Sequence, residues 1–430
     1  MRFNLSENFT FPKMATIRQS FYSAPLDTVQ IGQMVATEFE KVGWKQKILP
    51  GQQIAIGAGS RGISNIALII KLVVEQVKAV GAHPFVFPAM GSHGGATDQG
   101  QVEMLASLGI TADYLGCPIK SNMEPMQLGQ STTGLPVWLD RNAAAAAAVI
   151  VVNRVKPHTN FRGEIESGLM KMLSIGAGKQ KQAHQIHSFG VNGLHDYIPE
   201  VARAVLKLAP VLGGIAIVED GYHQTSKIVA LPAETLERQE IELLREAKHN
   251  MPALPLKALD LVIIDRMGKN ISGAGMDTNI IGRTRLPGLP SFPEPNIQIV
   301  ATLDLTEESH GNAVGLGLAD LITKRLADKI DFYATYMNAL TGNGPQQGAT
   351  PIVLDTDREA VQIALEYLVG PIGASQVKVC HIKDTLTLGQ IQVSEAVLNE
   401  IRGRDGIEVV TEPAPMAFDG AGNLAAIMGR

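Results

Sequence analysis

Apolar residues recur at three- and four-residue intervals between Ile63 and Val80, at Ile63, Ile66, Ala67, Ile70, Val73, Val74, Val77 and Val80. That spacing predicts a helix over 63–80 with one buried face. Short, unbroken apolar runs flank it at 53–57 and 84–88 and predict strands buried on both sides. A longer run, 143–152, begins in alanines and ends in β-branched residues, and it predicts a third strand. Strand 215–218 and helices over 98–108, from 165, over 196–208 and over 233–248 complete the first half, with Asp98 expected as an N-cap. Alternating strand and helix argues for a mostly parallel sheet covered on both faces. Beyond Pro252 and Pro255 a second alternation predicts strands 259–265, 297–303 and 377–382 and helices 312–327 and 357–368. The expected fold is α/β, with two α/β domains, 1–255 and 256–430, mostly parallel sheets and an interdomain active-site cleft.

Composition narrows the function more than the fold. The 430 residues are 45% hydrophobic and 18% charged with net charge -5, an ordinary profile that gives no support to nucleic acid or an anionic membrane as partner. Two cysteines, Cys117 and Cys380, form no C-x-x-C pair and read as reduced thiols of a cytoplasmic protein. The start of the chain lacks a basic segment followed by an apolar one, so no secretory signal is expected, and the longest apolar run is too short to span a bilayer.

The candidate chemistry gathers after strand ends, where α/β folds place ligands. Gly57-Ala58-Gly59-Ser60-Arg61-Gly62 matches G-x-G-x-x-G between a strand and a helix, and Arg61 suits a carboxylate or phosphate. No Asp or Glu follows the next strand to hold a ribose diol, which weakens a NAD reading. His93 stands in the open loop Gly91-Ser92-His93-Gly94-Gly95, and His158 follows the 143–152 run in Lys156-Pro157-His158-Thr159-Asn160-Phe161-Arg162-Gly163. Two histidines at one sheet edge suit acid–base work on both faces of one carbon centre, or a metal pair. His184 and His187 are three apart on an expected helix, with no Cys or His cluster nearby to complete a four-ligand zinc site. Gly176-Ala177-Gly178-Lys179-Gln180 fails as a Walker A motif because Leu173 and Gln180 occupy positions that require Gly and Ser/Thr. In the second half, Lys269 and Asn270 lie in a glycine-rich loop after a strand and suit a carboxylate or sugar hydroxyls.

Over residues 20–210 this pattern resembles the nickel-pincer lactate racemase family of 2-hydroxyacid racemases and epimerases. Gly59-Ser60-Arg61-Gly62 and Gly91-Ser92-His93 look like the family's arginine turn and its Gly-Thr-His loop. His158, Lys171 and His187 look like its second catalytic histidine, its cofactor-bearing lysine and its metal ligand, the last two sixteen residues apart. Where the family ends its lysine motif Gly-Gly-Arg-Lys, this chain has Gly168-Leu169-Met170-Lys171.

The resemblance implies a racemase or epimerase of a 2-hydroxy acid with His93 and His158 as acid and base. It implies a nickel-pincer nucleotide (a pyridinium-3,5-dithiocarboxylic acid mononucleotide carrying nickel) bound by Gly59, Ser60 and Lys171, with His187 on the metal, and cofactor-synthesis enzymes as partners. Arg61 and Lys269 would hold the substrate carboxylate. Two other readings stay open: a NAD(P)-dependent oxidoreductase of a hydroxy acid, and a nucleotide- or anion-binding protein without catalysis.

Overall fold

The computed structural model describes residues 3–190 and 193–427 and divides into two compact units, 22–251 and 1–21 together with 252–430. The boundary expected at 255 therefore needs a correction at the other end of the chain. The N-terminal strand β1 (Lys13–Gln19) pairs antiparallel with residues 390–394, so the first 21 residues build the second unit rather than the first.

In unit 22–251 the strands are β2 (Gln53–Ala58), β3 (His83–Pro88), the hairpin β4 (Pro125–Gln130) and β5 (Pro136–Asp140), β6 (Ala148–Arg154), β7 (Val211–Glu219) and β8 (Thr225–Pro232). The main sheet has the order β3-β2-β6-β7-β8, parallel except for β8. Alternate residues enter opposite cores: Ala55, Val149, Val151, Ala216 and Val218 face one helical layer, and Ile54, Ile56, Ile150, Val152, Ile215 and Ile217 face the other. Burial on both faces explains why these strands read as unbroken apolar runs. The helix Ile66–Ala79 buries Ile66, Ile70, Val73, Val74 and Val77 from the expected stripe.

Three expectations differ in detail. Ala143 and Ala144 belong to a short helix, Arg141–Ala144, because Asp140 accepts hydrogen bonds from the Asn142 and Ala143 amides, and the strand starts only at Ala148. Thr97, not Asp98, caps the helix Asp98–Ser107, its hydroxyl accepting from the Gly100 amide at 3.0 Å. No long helix spans 312–327. Gly315 sits at φ 94, which breaks a helix, and the segment holds a strand (Leu321–Thr323) and a short helix (Lys324–Ala327).

The second unit continues with β9 (Ala258–Ile264), β10 (Asn296–Thr302), β11 (Leu321–Thr323), β12 (Ile352–Leu354), β13 (Val379–Ile382), β14 (Gln390–Ser394), β15 (Ile407–Val409) and β16 (Ala414–Pro415). Its sheet runs β12-β11-β10-β9-β13-β14-β1-β15, with β16 also on β1. The first five strands are parallel and the rest join antiparallel. Among the described residues no helix is long and apolar enough to cross a membrane.

Candidate active site

Because β3, β2 and β6 are adjacent and parallel, the loops after their C-terminal ends emerge at one sheet edge. These loops carry His93, Ser60 with Arg61, and His158 respectively. Ser60 Oγ and His93 Nδ1 are in direct hydrogen-bond contact, so the turn after β2 holds the imidazole of the neighbouring loop. Arg61 is exposed, and among the described residues it has no ion-pair partner. Desolvation and the nearby Arg154 guanidinium lower its pKa. An uncompensated guanidinium beside a histidine is a ready anion site.

The loop carrying His158 is closed by a two-residue ladder between Lys156 and Ser167. Inside it lies Glu166, whose side chain is fully buried. Its carboxylate accepts from the amides of His158 at 2.6 Å and Gly163 at 3.2 Å and pairs with Lys248 at 2.6 Å and Arg162 at 3.7 Å. Arg162 in turn donates to the His158 carbonyl at 2.7 Å. One buried carboxylate thus folds the loop around itself and sets the direction in which His158 leaves it.

His158 and Lys171 meet, with Nε2 and Nζ 2.6 Å apart. The amide of Asn160 donates to His158 Nδ1 at 3.0 Å, which leaves the proton of the neutral ring on Nε2. Nε2–H can then bond Nζ only if Lys171 is a free amine. The electrostatics agree: desolvation, followed by the charge of Arg61, brings Lys171 down to about 7. Desolvation, then Lys171, His187, Arg61 and Arg162, hold His158 well below the usual histidine range. His187, half-buried on the helix Lys179–Ser188, falls to about 4 through desolvation, Lys171 and His184. The site therefore offers an amine that becomes free near pH 7 and two neutral imidazoles ringed by cations.

Lys171 ends the short helix Leu169–Lys171, which opens into a π-helical turn, Met172–Gly176, a distortion often found at functional sites. Its first two amides, Leu169 and Met170, donate to Glu240 at 2.7 and 3.1 Å. Asn153, at the end of β6, donates to the Gly168 carbonyl at 3.0 Å. Glu240 is buried, and desolvation raises its pKa to about 7. Nothing in the sequence marked Glu166, Glu240 or the Asn160 amide for these roles. Glu240 gave no signal, since its partners are distant in the chain.

Gly59 follows β2 beside Met172 and Asn153, which leaves little room for a side chain. Lys269 belongs to the other unit, where Nζ donates to the Gly273 carbonyl at 2.6 Å and Asn338 at 2.8 Å. His184 is exposed, and His83 lies at the opposite sheet edge, at the start of β3. Among the described residues no cluster of three His, Cys, Asp or Glu could hold a bare metal ion.

Strand-end loops that converge acid–base groups and an open guanidinium define an α/β protein with an enzyme-like site. Residues 45–193 match the family model of the lactate racemase N-terminal domain, so this stretch of the chain is similar to that domain. Comparison with curated proteins gives no match. Among solved structures the chain is similar to the lactate racemase apoprotein from Thermoanaerobacterium thermosaccharolyticum, at 13% identity and TM-score 0.47, over 90% of this chain and 86% of that one. It is also similar to a protein from Thermotoga maritima, at 10% identity and TM-score 0.46, over 80% and 84%.

Proposed function

We propose that the protein is a racemase or epimerase of a 2-hydroxy carboxylic acid, using a nickel-pincer nucleotide. The observation that carries this reading is the free-amine contact between Lys171 and His158, next to a neutral His187 and the unpaired Arg61. A group that brings most of its own metal donors needs one neutral imidazole and one nucleophilic amine from the protein, and these residues fit it. When bound, that nucleotide supplies a hydride acceptor, with Lys171 as its anchor, His187 as a ligand to its nickel, and Gly59 and Ser60 lining it.

The remaining work falls to the chain. Arg61 neutralises the substrate carboxylate and fixes its orientation. His93 takes the hydroxyl proton of one antipode and His158 that of the other, and each returns it in the reverse direction; for His158 this requires the ring proton to pass to Nδ1, with the Asn160 amide turned away, so that Nε2 is basic. In the free protein His158 Nε2 is engaged by Lys171. Anchoring of the nucleotide through Nζ would engage the lone pair that accepts this bond and leave Nε2 to face substrate. The anionic substrate also offsets the cations that hold His158 neutral, and this eases protonation at the step that requires it.

The test is turnover of 2-hydroxy acids deuterated at C2 by protein produced together with the cofactor-synthesis enzymes. Inverted product that keeps deuterium at C2 is expected. Loss of the label to solvent, or no inversion across a broad substrate panel by protein that carries nickel, would refute the proposal.

A further inference from the structure

Lys179 is a buried charge with no role in the chemistry above. It is fully buried against an equally buried Asp140, with Nζ 3.1 Å from the carboxylate. Nζ also donates to the Pro88 carbonyl at 2.6 Å and to Gln101 Oε1 at 3.0 Å. An ammonium can only donate, so it holds the Gln101 amide with its oxygen inward and its NH2 outward. That NH2 then donates to the carbonyls of Gly91 at 2.9 Å and His93 at 3.2 Å. The Gly91 amide completes the tie by donating to the Gly176 carbonyl at 3.0 Å, in the turn that follows Lys171.

We infer that Lys179 and Gln101 are positioning residues for His93: the ammonium orients the amide, and the amide clamps the loop backbone from Gly91 to His93. Ser60 holds the ring, and Gln101 holds the peptide from which the ring projects. Lys179 begins the helix that carries His187, so the same side chain links the His93 loop to the other half of the site. The importance of this clamp for turnover rests on the reading of His93 as an acid–base group; the clamp itself does not.

Gln101→Glu separates positioning from packing. The glutamate is nearly isosteric and keeps an acceptor for Lys179, but it turns a second acceptor toward the Gly91 and His93 carbonyls. Amide exchange over residues 91–95, measured relative to the helix Ile198–Leu208, should rise about tenfold, the scale expected from losing these hydrogen bonds. The ¹⁵N signals that report the His93 ring tautomer should shift with it. In loaded protein kcat should fall with KM nearly unchanged. Gln101→Met, which also lacks the donors, should give the same relative exchange even if it lowers overall stability. Unchanged relative exchange in both variants, or a rise shared equally by the reference helix, would overturn the inference. A loosened loop together with full turnover by His93→Ala would instead sink the catalytic reading and leave the clamp standing.

Discussion

Replacing Glu240 with Gln probes how the Lys171 segment is held, and its effect should depend on pH. Glu240 is 1% exposed, and desolvation raises it from 4.5 to about 7 against the opposing pull of the Met170 and Leu169 amides. Its Oε1 is buried without a hydrogen-bond partner. A carboxyl whose folded pKa lies above its unfolded value contributes stability that is fully present below the unfolded pKa. That contribution declines as pH rises and is lost by the time the folded pKa is passed. The window therefore opens near 4.5 and closes just above 7. At ~1.4 kcal/mol per pKa unit, the wild type loses about 2–3 kcal/mol between pH 5 and pH 8 from this one group. Gln cannot ionise, and its oxygen still accepts from Leu169 and Met170. Its NH2 takes the unpartnered place at a pH-independent cost of about 1 kcal/mol. The variant should thus be near or below wild type at pH 5 and gain about 2–3 kcal/mol on it by pH 8. Both tryptophans, Trp44 and Trp138, lie in unit 22–251, so denaturant unfolding followed by their fluorescence reads the relevant transition. An equal difference between variant and wild type at the two pH values would refute the argument.

Three further outcomes follow from the same geometry. Acylation of Lys171 by a small anhydride, followed by peptide mass spectrometry, should be half-maximal near pH 7, where its amine becomes free, whereas exposed lysines should respond near pH ~10. His187→Ala should lower the nickel content of protein made with the cofactor-synthesis enzymes while leaving any mass adduct on Lys171; loss of both together would contradict separate roles. Gly168→Ala places a Cβ 2.4 Å from the Glu240 carboxylate and should destabilise the unit by roughly 1–3 kcal/mol. Glu240→Ala should remove most of that penalty in a double-mutant cycle.

The central strands and the gathering of candidate groups at one sheet edge were readable in the sequence for a physical reason. Strands buried on both faces carry unbroken apolar runs, and in a parallel sheet the loop after each strand must emerge at the same edge. His93, Arg61 and His158 could be placed relative to one another from that rule alone. Lys171 and His187 were singled out by the family resemblance rather than by this rule. The supports were not readable. Glu240 reaches Leu169 from the helix Leu236–Asn250, and Lys179 meets Gln101 and Asp140 across separate elements. Such pairs carry no local periodicity, and Lys179 stood out only as part of a failed phosphate-loop motif. The strand β1 was missed for the same reason, since its partners come close to the other end of the chain.

That pairing makes unit 22–251 an insertion within the other unit rather than a preceding bead on a string. During synthesis Lys13–Gln19 leaves the ribosome first, yet it has no partner strand until residues 390–394 are made. Almost the whole chain must be translated before this strand can enter a sheet, while every strand of the inserted unit is complete by Pro232. Domains generally fold as units as they emerge, so the site-bearing unit can reach its native state while the enclosing one waits for its final strands. A cut at residue 255 would leave the C-terminal fragment without β1, the central bridge between β14 and β15, and expose two unpaired strand edges prone to aggregation. Expressing residues 22–251 alone removes no strand from either neighbour in its own sheet, which makes that fragment the sound choice for isolating the site.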